Sequence, residues 1–346
     1  MKNNSQNLSS QKNLRCPFYL TKYGCPLARL REHAFLLIIK SMKKFLPAFV
    51  ILAGTFAPTA FAGMFTMWDD NDCCWSDKYY TNHTRFSVSW IEGGWWNFFS
   101  FGQEMYAPDH RLDKIPPRDD HPYCGFLYAS IGMAGVSEES YISAEYQLGV
   151  VGPAAGAHGT QDAYHDLISI ENLGGWDTQV ENQLGLNILI EAGKRFVLTG
   201  KLRESYASDL MVRGFVSLGT VRDLASLGVQ YRFGKNLPAD LGYRSMRQAT
   251  SALVVPEESR DFWYAFVDFH LDAVAYDVTM GGEMLRDYDV TDITPYPFSF
   301  ELSVGFSMMI NGRYLISVAE HFRRKDFPDA DQLYFAYTGA RLSIIF

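Results

Sequence analysis

FSFELSVGFSM, at residues 298–308, is the stretch of sequence that decides the fold of this chain. Apolar side chains occupy every second position from Phe298 to Met308, and Ser, Glu and Gly occupy the positions between them. Alternation with a period of two residues predicts a β-strand that has one apolar and one polar face. The same pattern recurs from about residue 64 to the C-terminus, for example at residues 142–150, 184–190 and 227–233.

Alternation of this kind fits two classes of protein. A soluble β-sandwich buries the apolar faces of its strands, whereas a membrane β-barrel turns them towards lipid. Leu342, Ile344 and the terminal Phe346 alternate in the way that is typical of the last strand of outer-membrane proteins. The strands are close to ten residues long, and we count about 12 of them, an even number as such barrels require. The sequence therefore predicts an all-β, 12-stranded antiparallel transmembrane β-barrel with a short helix in an outer loop.

The first 62 residues differ from the rest of the chain. Residues 1–41 are basic and show no periodicity, whereas Lys43 and Lys44 precede an apolar run that ends in an Ala-x-Ala cleavage pattern. We therefore expect an upstream extension or a mis-assigned start at residues 1–41, a signal peptide at residues 42–62 and an outer-membrane β-barrel at residues 63–346. The alternative is a genuine N-terminal extension.

Composition and charge exclude several classes of protein. The chain contains no apolar run of about 18 residues, which argues against a helical membrane protein. It has 31 Lys and Arg against 39 Asp and Glu, of which nine and one lie in residues 1–62, so the remainder carries 22 basic and 38 acidic residues and a net charge of −16. Nucleic-acid binding is not expected at that charge. An acidic barrel that faces a phosphorylated lipid would need divalent cations between the two.

An even number of strands places both ends of the barrel sequence on the periplasmic side. Asn311-Gly312 then forms a tight inner turn between the tenth and eleventh strands. Residues 235–258 fit poorly, because a periplasmic connection of that length departs from the short turns that are the rule. The outer loops are expected near residues 70–80, 107–122, 152–180, 273–296 and 324–330.

Clustered carboxylates follow the first strand. The sequence Asp69-Asp70-Asn71-Asp72 combines acidic side chains with an amide, and such oxygen ligands suit a hard cation such as Ca²⁺. Thr81, at the start of the second strand, offers a hydroxyl to a cation or to a carbonyl group. On spacing alone a solvated loop cap is an equally good interpretation of the acidic cluster, and tyrosines beside Thr81 are typical of a membrane interface.

A polar helical segment interrupts the strands between Gly152 and Trp176. Gln161 and His165 are four residues apart, so they share one face of a helix. Neutral imidazole is a good general base near neutral pH. Glu171 follows six residues later and can orient the imidazole only if the helix ends before it. The alternative is that a lone histidine in a loop has no chemical role.

Several motifs occur in a specific order and spacing along the chain. Gln161 and His165 lie between the last two of them: DND at 70–72, DKYYTN at 77–82, DDHPYCG at 119–125, VGPAAG at 151–156 and GWDTQVEN at 175–182. Together these motifs resemble the lipid A 3′-O-deacylase family of outer-membrane β-barrels. The resemblance extends from about Phe65 to Phe346.

The resemblance implies a Ca²⁺-dependent hydrolase of the Gram-negative outer membrane. Its substrate would be the lipid A of lipopolysaccharide, from which it would remove the 3′-linked acyloxyacyl group at the outer-leaflet side. We expect a monomer surrounded by outer-membrane lipids. Carried over by position, the resemblance gives a catalytic set and a metal-binding set: His165 as general base with Asn71, Glu171 and Gln161, and Asp72, Thr81 and Asp70 as metal ligands.

Two other functions remain open at the level of sequence. An outer-membrane phospholipase would need a reactive serine near His165, and neither flanking stretch offers a recognisable one. A non-enzymatic, porin-like barrel would use the helical segment only as a lid. The deacylase interpretation differs from both because it predicts that replacing His165 changes the composition of lipid A.

Overall fold

The computed structural model describes residues 63–72, 78–254, 260–282, 291–328, 330 and 333–346. The expected signal peptide and upstream extension, together with Cys73 and Cys74, lie outside these residues. Strands form a single closed antiparallel barrel in which each strand pairs with its neighbours in sequence and the first pairs with the last. The predicted fold class is therefore confirmed.

The barrel is closed by β1 and β12, which pair from Met64 opposite Ile345 to Asn71 opposite Thr338. The C-terminal alternation thus belongs to the closing strand. Twelve strands make up the wall: β1 (Gly63–Asn71), β2 (Tyr79–Glu92), β3 (Trp95–Ala107), β4 (Cys124–Val136), β5 (Ser140–Val151), β6 (Gln183–Lys201), β7 (Glu204–Gly219), β8 (Arg222–Lys235), β9 (Phe262–Asp277), β10 (Phe298–Ile310), β11 (Tyr314–Arg324) and β12 (Tyr334–Ile345).

The two ends of the barrel differ. One end, the turn end, holds the start of β1, the end of β12 and most of the tight turns; the other, the loop end, holds most of the long connections. The predicted turn between β10 and β11 is confirmed at the turn end. Asn311 and Gly312 have φ angles of 53° and 58°, as a tight hairpin turn requires.

The alternation of side chains separates an apolar outer wall from a polar lumen. Tyr146, Leu184 and Leu227 point outward and are 60%, 59% and 59% exposed. Glu145 and Glu301 point inward and are fully buried. This is the opposite of a soluble protein, in which the apolar face is buried, and it is the arrangement of a barrel whose outer wall faces lipid.

The lumen is filled with paired charges. Because a buried charge is costly unless it is paired and hydrogen-bonded, acidic and basic side chains on different strands meet there. These pairs include Arg232–Asp209 at 2.5 Å, Arg213–Asp268 at 2.6 Å, Arg323–Asp272 at 2.6 Å, Arg222–Asp277 at 2.8 Å and Arg244–Glu191 at 2.8 Å.

The long connection between β8 and β9 folds back into the lumen. Every residue from 237 to 254 is buried, and we call this stretch the luminal segment. The carbonyl oxygen of Tyr243 accepts hydrogen bonds from Arg213 (2.9 Å) and Gln230 (2.6 Å). The hydroxyl of Ser251 donates to Glu145 at 3.0 Å. The length that fitted poorly with a short periplasmic turn is therefore accounted for by burial inside the barrel.

Among the described residues, two helices lie in the connections at the loop end: α1 (Ala157–Ile168), between β5 and β6, and α2 (Val278–Gly281), which follows β9 directly. In the described part of the chain, neither helix is long and apolar enough to cross a bilayer. Gly156, with φ of 69°, joins a short 3₁₀ turn to the start of α1. The predicted helix in an outer loop is therefore confirmed, and it is the longer of the two.

Candidate active site on the outer wall

Helix α1 is docked against the outer wall at the loop end. A Cβ atom placed on Gly125 of β4 would come within 2.6 Å of the Cβ atom of Ala157, so the helix approaches the wall as closely as it does only because residue 125 is glycine. Gln103 of β3 points outward and donates to the carbonyl oxygen of Ala155 at 2.7 Å. The helix therefore lies over β3 and β4 on the lipid-facing side.

A row of paired residues leads from this helix across the wall to the acidic cluster. Asn71 lies opposite Asn82, Asn82 opposite Met105, and Met105 opposite Gly125. Met105 also packs in one buried cluster with Ala157. With neighbouring strands about 4.8 Å apart, Asn71 lies roughly 10 Å from Met105. The helical loop and the end of β1 therefore share one face of the wall.

His165 has one ring nitrogen engaged and one available. The side chain is buried, and its Nδ1 lies 2.8 Å from the carbonyl oxygen of Glu171. A carbonyl oxygen can only accept a hydrogen bond, so Nδ1 carries the proton and Nε2 has the lone pair. Within the described residues Nε2 makes no hydrogen bond. This is the tautomer that a general base needs.

Gln161 lies one turn before His165 and is buried as well. Its Oε1 accepts a hydrogen bond from Trp176 Nε1 at 2.7 Å, and because the indole can only donate, the amide orientation is fixed. The Nε2 of Gln161 is buried without a hydrogen-bond partner among the described residues. Gln161 and His165 thus share one helix face, as their spacing predicts. The structure adds that both side chains are buried and that the Gln161 amide is an unused hydrogen-bond donor.

Glu171 contacts His165 through its main chain. Helix α1 ends at Ile168, and Ser169 follows in the left-handed conformation with φ of 60°, so the condition for a contact between residues 165 and 171 is met. The group that approaches the imidazole, however, is the carbonyl oxygen, and the Glu171 side chain is exposed. The orienting contact expected from the carboxylate is thus made by the backbone.

Asp72 and Thr81 meet where β1 and β2 separate. The Asp72 N–H donates to the carbonyl oxygen of Thr81 at 3.2 Å, and the Asp72 carboxylate accepts from the Lys78 N–H at 2.5 Å. Thr81 is the extra residue of a β-bulge between Tyr80 and Asn82. Bulges re-aim side chains and are frequent beside active sites. Two of the three expected metal ligands are therefore brought together.

The atoms at this point fit a hard cation. The Thr81 Oγ1 is buried and makes no hydrogen bond within the described residues, which costs about 1–3 kcal/mol unless a ligand compensates. Carboxylate, hydroxyl and carbonyl oxygens are the donors that Ca²⁺ takes. No group of three or more His, Cys, Asp or Glu in the described ranges is placed to hold a metal, so neutral oxygen ligands would have to complete the coordination.

Asp70, the third expected ligand, points into the lumen. Its side chain is fully buried, and its Oδ2 accepts a hydrogen bond from the Tyr80 hydroxyl at 3.0 Å. Asn71 follows it on the outward face, opposite Asn82. Consecutive residues of a strand point to opposite faces, so the side chains of Asp70 and Asn71 lie on opposite sides of the barrel wall.

The outward face of β1, β2 and β3 is polar at this height. Thr84 donates to Asp69 at 2.6 Å and Asn82 donates to the same carboxylate oxygen at 3.1 Å. The sequence prediction counted Asp69 in the acidic cluster without giving it a separate role, and it did not single out Thr84. The alternation of the sequence could have predicted where Asp69 lies. Phe65 and Met67 are apolar and two residues apart, so they face outward, and Asp69 is the next residue on that face. A carboxylate at a lipid-facing position marks a site.

The neighbouring loop, residues 108–123, is organised by Asp120. Its carboxylate accepts from the backbone N–H groups of Asp109, His110 and His121 at 3.1, 2.9 and 2.7 Å. The side-chain hydrogen bond to Asp120 raises the pKa of His110. Lys78 forms an ion pair with Asp109 at 2.7 Å. The loop is thereby tied to the start of β2, beside Thr81.

The family of the chain is settled by a comparison with family models. Residues 44–346 match the model described as outer membrane protein LpxR. The chain belongs to the LpxR family. It is thus an outer-membrane β-barrel, as the exposed apolar wall requires. Curated protein sequences provide no match to the chain.

A solved structure of an LpxR protein has the same fold as this chain. LpxR from Salmonella typhimurium has a TM-score of 0.72 and 14% sequence identity over 82% of this chain and 100% of that chain. At that identity the likeness shows the fold. The β domain of the Bordetella autotransporter BrkA has a TM-score of 0.38 and 9% identity, and covers 83% of this chain and 99% of that chain.

Proposed function

We propose that this LpxR-family barrel is a Ca²⁺-dependent lipid A deacylase that hydrolyses the 3′-linked acyloxyacyl ester at the outer leaflet. The observation that carries the proposal is His165, whose Nδ1 is bound to a carbonyl and whose Nε2 is available. It lies on a helix docked against the lipid-facing wall. A base at that position meets acyl chains without their having to enter the barrel.

The reaction is a hydrolysis in which His165 moves one proton twice. Nε2 takes a proton from a water molecule, and the oxygen of that water attacks the ester carbonyl carbon. When the ester bond breaks, the imidazolium returns the proton to the departing sugar oxygen. Water thus supplies a hydroxyl to the acyl group and a hydrogen to the sugar. The Glu171 carbonyl holds the imidazole in one tautomer throughout.

Two amides are placed to stabilise the reacting oxygen atoms. The buried Nε2 of Gln161 has no hydrogen-bond partner in the described part of the chain, so it can donate to the ester carbonyl oxygen or to the attacking water. Asn71 lies on the same face of the wall and would donate to the same oxyanion or hold the attacking water. Donors fixed before the reaction cost no reorganisation when charge develops, and one such donor contributes about 10²–10³ in rate.

The cation would be held by Asp72 and Thr81. When bound there, Ca²⁺ supplies a Lewis acid that stabilises negative charge on the ester carbonyl oxygen. The Asp72 carboxylate provides the charge of the site, and the Thr81 hydroxyl provides an oxygen that otherwise lacks a hydrogen bond within the described residues. Asp70 supports this site from the lumen instead of binding the cation.

The lumen argues against a porin-like function. The luminal segment and the ion pairs around it occupy the space that a channel would need. A porin-like function also does not explain why a helix is docked on the outside of the wall, or why the buried His165 on that helix has only one of its ring nitrogens hydrogen-bonded.

The proposal is tested by weighing lipid A. The full chain and its His165→Ala variant are expressed in a Gram-negative host, and extracted lipid A is analysed by mass spectrometry. The wild type should remove the 3′-acyloxyacyl group, and the variant should leave it in place. An unchanged profile with a correctly inserted wild-type barrel would contradict the proposal, and loss of glycerophospholipid acyl chains instead would indicate a phospholipase.

A further inference from the structure

The luminal segment touches the wall directly behind the cation side of the candidate active site. Arg247 places its guanidinium carbon 4.8 Å from the centre of the Tyr80 ring. Tyr80 is fully buried on the luminal face of β2 and immediately precedes the bulged residue Thr81. The segment therefore reaches from the turn end of the barrel to the back of the bulge.

Tyr80 is flanked by two irregular backbone positions. Tyr79 has φ of 63°, a left-handed value that costs a non-glycine residue free energy, and Thr81 is the bulged residue. Such conformations persist only when the surroundings fix them. Tyr80 lies between these two positions, and its side chain is buried in the lumen.

Several contacts hold the Tyr80 side chain, among them those of its hydroxyl with His83 Nδ1 at 3.2 Å and of its ring with Tyr106 at 5.7 Å between ring centres. The Tyr80 hydroxyl donates to Asp70 at 3.0 Å, its ring lies edge-on to Tyr337 with 4.9 Å between ring centres, and Arg247 covers its face. The luminal segment contributes a second support, because Ser245 Oγ lies 3.1 Å from the hydroxyl of Tyr337. Arg247 and Ser245 therefore act on the same aromatic pair.

We propose that Arg247 is a positioning residue for the proposed Ca²⁺ site: it holds Tyr80, and Tyr80 holds the bulge that presents Thr81. This inference rests on the proposed function. It assigns the luminal segment a part in the chemistry of the outer wall, and it explains why Asp70 lies next to the site without facing it. Asp70 fixes the hydroxyl end of the same tyrosine.

The test compares variants at two positions of the luminal segment that face different strands, Arg247 facing β2 and Thr250 facing β5 and β6. Arg247→Met removes the cation from the Tyr80 ring and leaves Asp326 paired with Arg323 at 3.0 Å. Arg247→Lys keeps a cation over the ring. Thr250→Val is the control, since it removes a hydrogen bond to Glu191 (3.1 Å) from the same segment beside Ser143 of β5, far from Tyr80.

The purified full-length barrel in detergent is titrated with Ca²⁺. Half-saturation is read both from the Ca²⁺-dependent rise in melting temperature and from deacylation. Arg247→Met should raise the half-saturating concentration about tenfold, with Arg247→Lys close to the wild type. Thr250→Val should lower the melting temperature without changing half-saturation. Tyr80→Phe, which keeps the ring and loses the contacts of the hydroxyl with Asp70 and His83, should also raise the half-saturating concentration, and it serves if Arg247→Met does not fold.

Equal half-saturation in Arg247→Met, Tyr80→Phe and the wild type would overturn the positioning role while leaving the proposed function intact. A wild-type barrel that shows neither a Ca²⁺-dependent melting temperature nor deacylation would overturn the proposed function, and this inference with it.

Discussion

Histidine side chains in the lumen and on the outer wall differ in how many of their ring nitrogens are engaged by neighbouring groups. In the lumen, His321 has Nδ1 beside Ser303 (2.8 Å) and Glu301 (3.2 Å) and Nε2 beside Tyr243 (3.1 Å). On the wall, His165 has Nδ1 bound to a carbonyl and Nε2 available. An imidazole next to a carboxylate is the more familiar catalytic pair, yet here it is the one without a free nitrogen.

The difference shows what each region is built for. His270 repeats the luminal pattern, with Ser226 at one nitrogen and Asp268 and Arg213 at the other. Both ring nitrogens of His321 and of His270 are engaged by luminal neighbours, so these side chains stabilise the barrel. On the wall, His165 keeps one ring nitrogen available beside the unpaired amide donor of Gln161, and the proposed function places the reaction there.

The largest effect on stability is expected in the lumen. Arg213→Met leaves Asp268 without its closest cation and removes a hydrogen bond to Tyr243. Removing one partner of a buried ion pair costs about 3–5 kcal/mol. Unfolding in denaturant should show that loss, while turnover per folded molecule stays near the wild-type value. A comparable loss of turnover in the folded variant would mean that the two regions are not separate.

Removal of the cation should affect the wall and spare the lumen. Chelation of Ca²⁺ should lower deacylation by roughly 10²–10³, the range for losing electrostatic stabilisation of an oxyanion. Asp72→Asn should do the same at any Ca²⁺ concentration. Circular dichroism should show an intact barrel in both cases. Full activity in the presence of a chelator would remove Ca²⁺ from the mechanism.

A smaller effect is expected at Gln161. Gln161→Glu keeps an acceptor for the Trp176 N–H but loses the amide donor, whereas Gln161→Leu loses both. We expect both variants to lower kcat about tenfold or more, because the donor is the missing group in each. Should Gln161→Glu retain wild-type kcat, the amide only fixes Trp176.

The smallest effect concerns the loop at residues 108–123. The Asp120 carboxylate raises the pKa of His110 above its ordinary value. The pair therefore stabilises the loop fully below pH 6.5, and this stabilisation is lost as the pH rises through the folded-state pKa. Since His110 is half exposed, the effect is at most about 1 kcal/mol. The protection of the loop amides from hydrogen exchange, measured relative to the intrinsic exchange rate at each pH, should fall as the pH rises, and Asp120→Asn should abolish that fall.

Sequence predicted the wall better than what lies inside it. Lipid on one face of a strand and a polar lumen on the other require apolar and polar residues to alternate. Residue types such as Leu302 and Glu301 therefore predict which side chains face lipid and which face the lumen. The luminal segment has no period, and its partners, including Glu191 and Glu145, are on distant strands. Its length alone showed that it did not fit a short turn.

The site was predictable where side-chain spacing carries the information. The four-residue spacing of Gln161 and His165 placed them on one helix face. The contact between His165 and Glu171 was not predictable, because it depends on a backbone carbonyl that any residue would provide. Asp70 points into the lumen because it lies inside β1, where side chains alternate between the two faces, whereas Asp72 follows the end of the strand at Asn71 and is not bound by that alternation.

The central claim is that the reactive histidine lies on the wall and the luminal histidines do not react. The most direct measurement compares His165→Gln with His321→Gln as purified, folded barrels acting on lipid A, with release of the 3′-acyl group followed by mass spectrometry. His165→Gln should lose about 10²–10⁴ in rate with an unchanged melting temperature. His321→Gln should melt at a lower temperature and keep its rate. Loss of activity in His321→Gln with activity retained in His165→Gln would contradict the account.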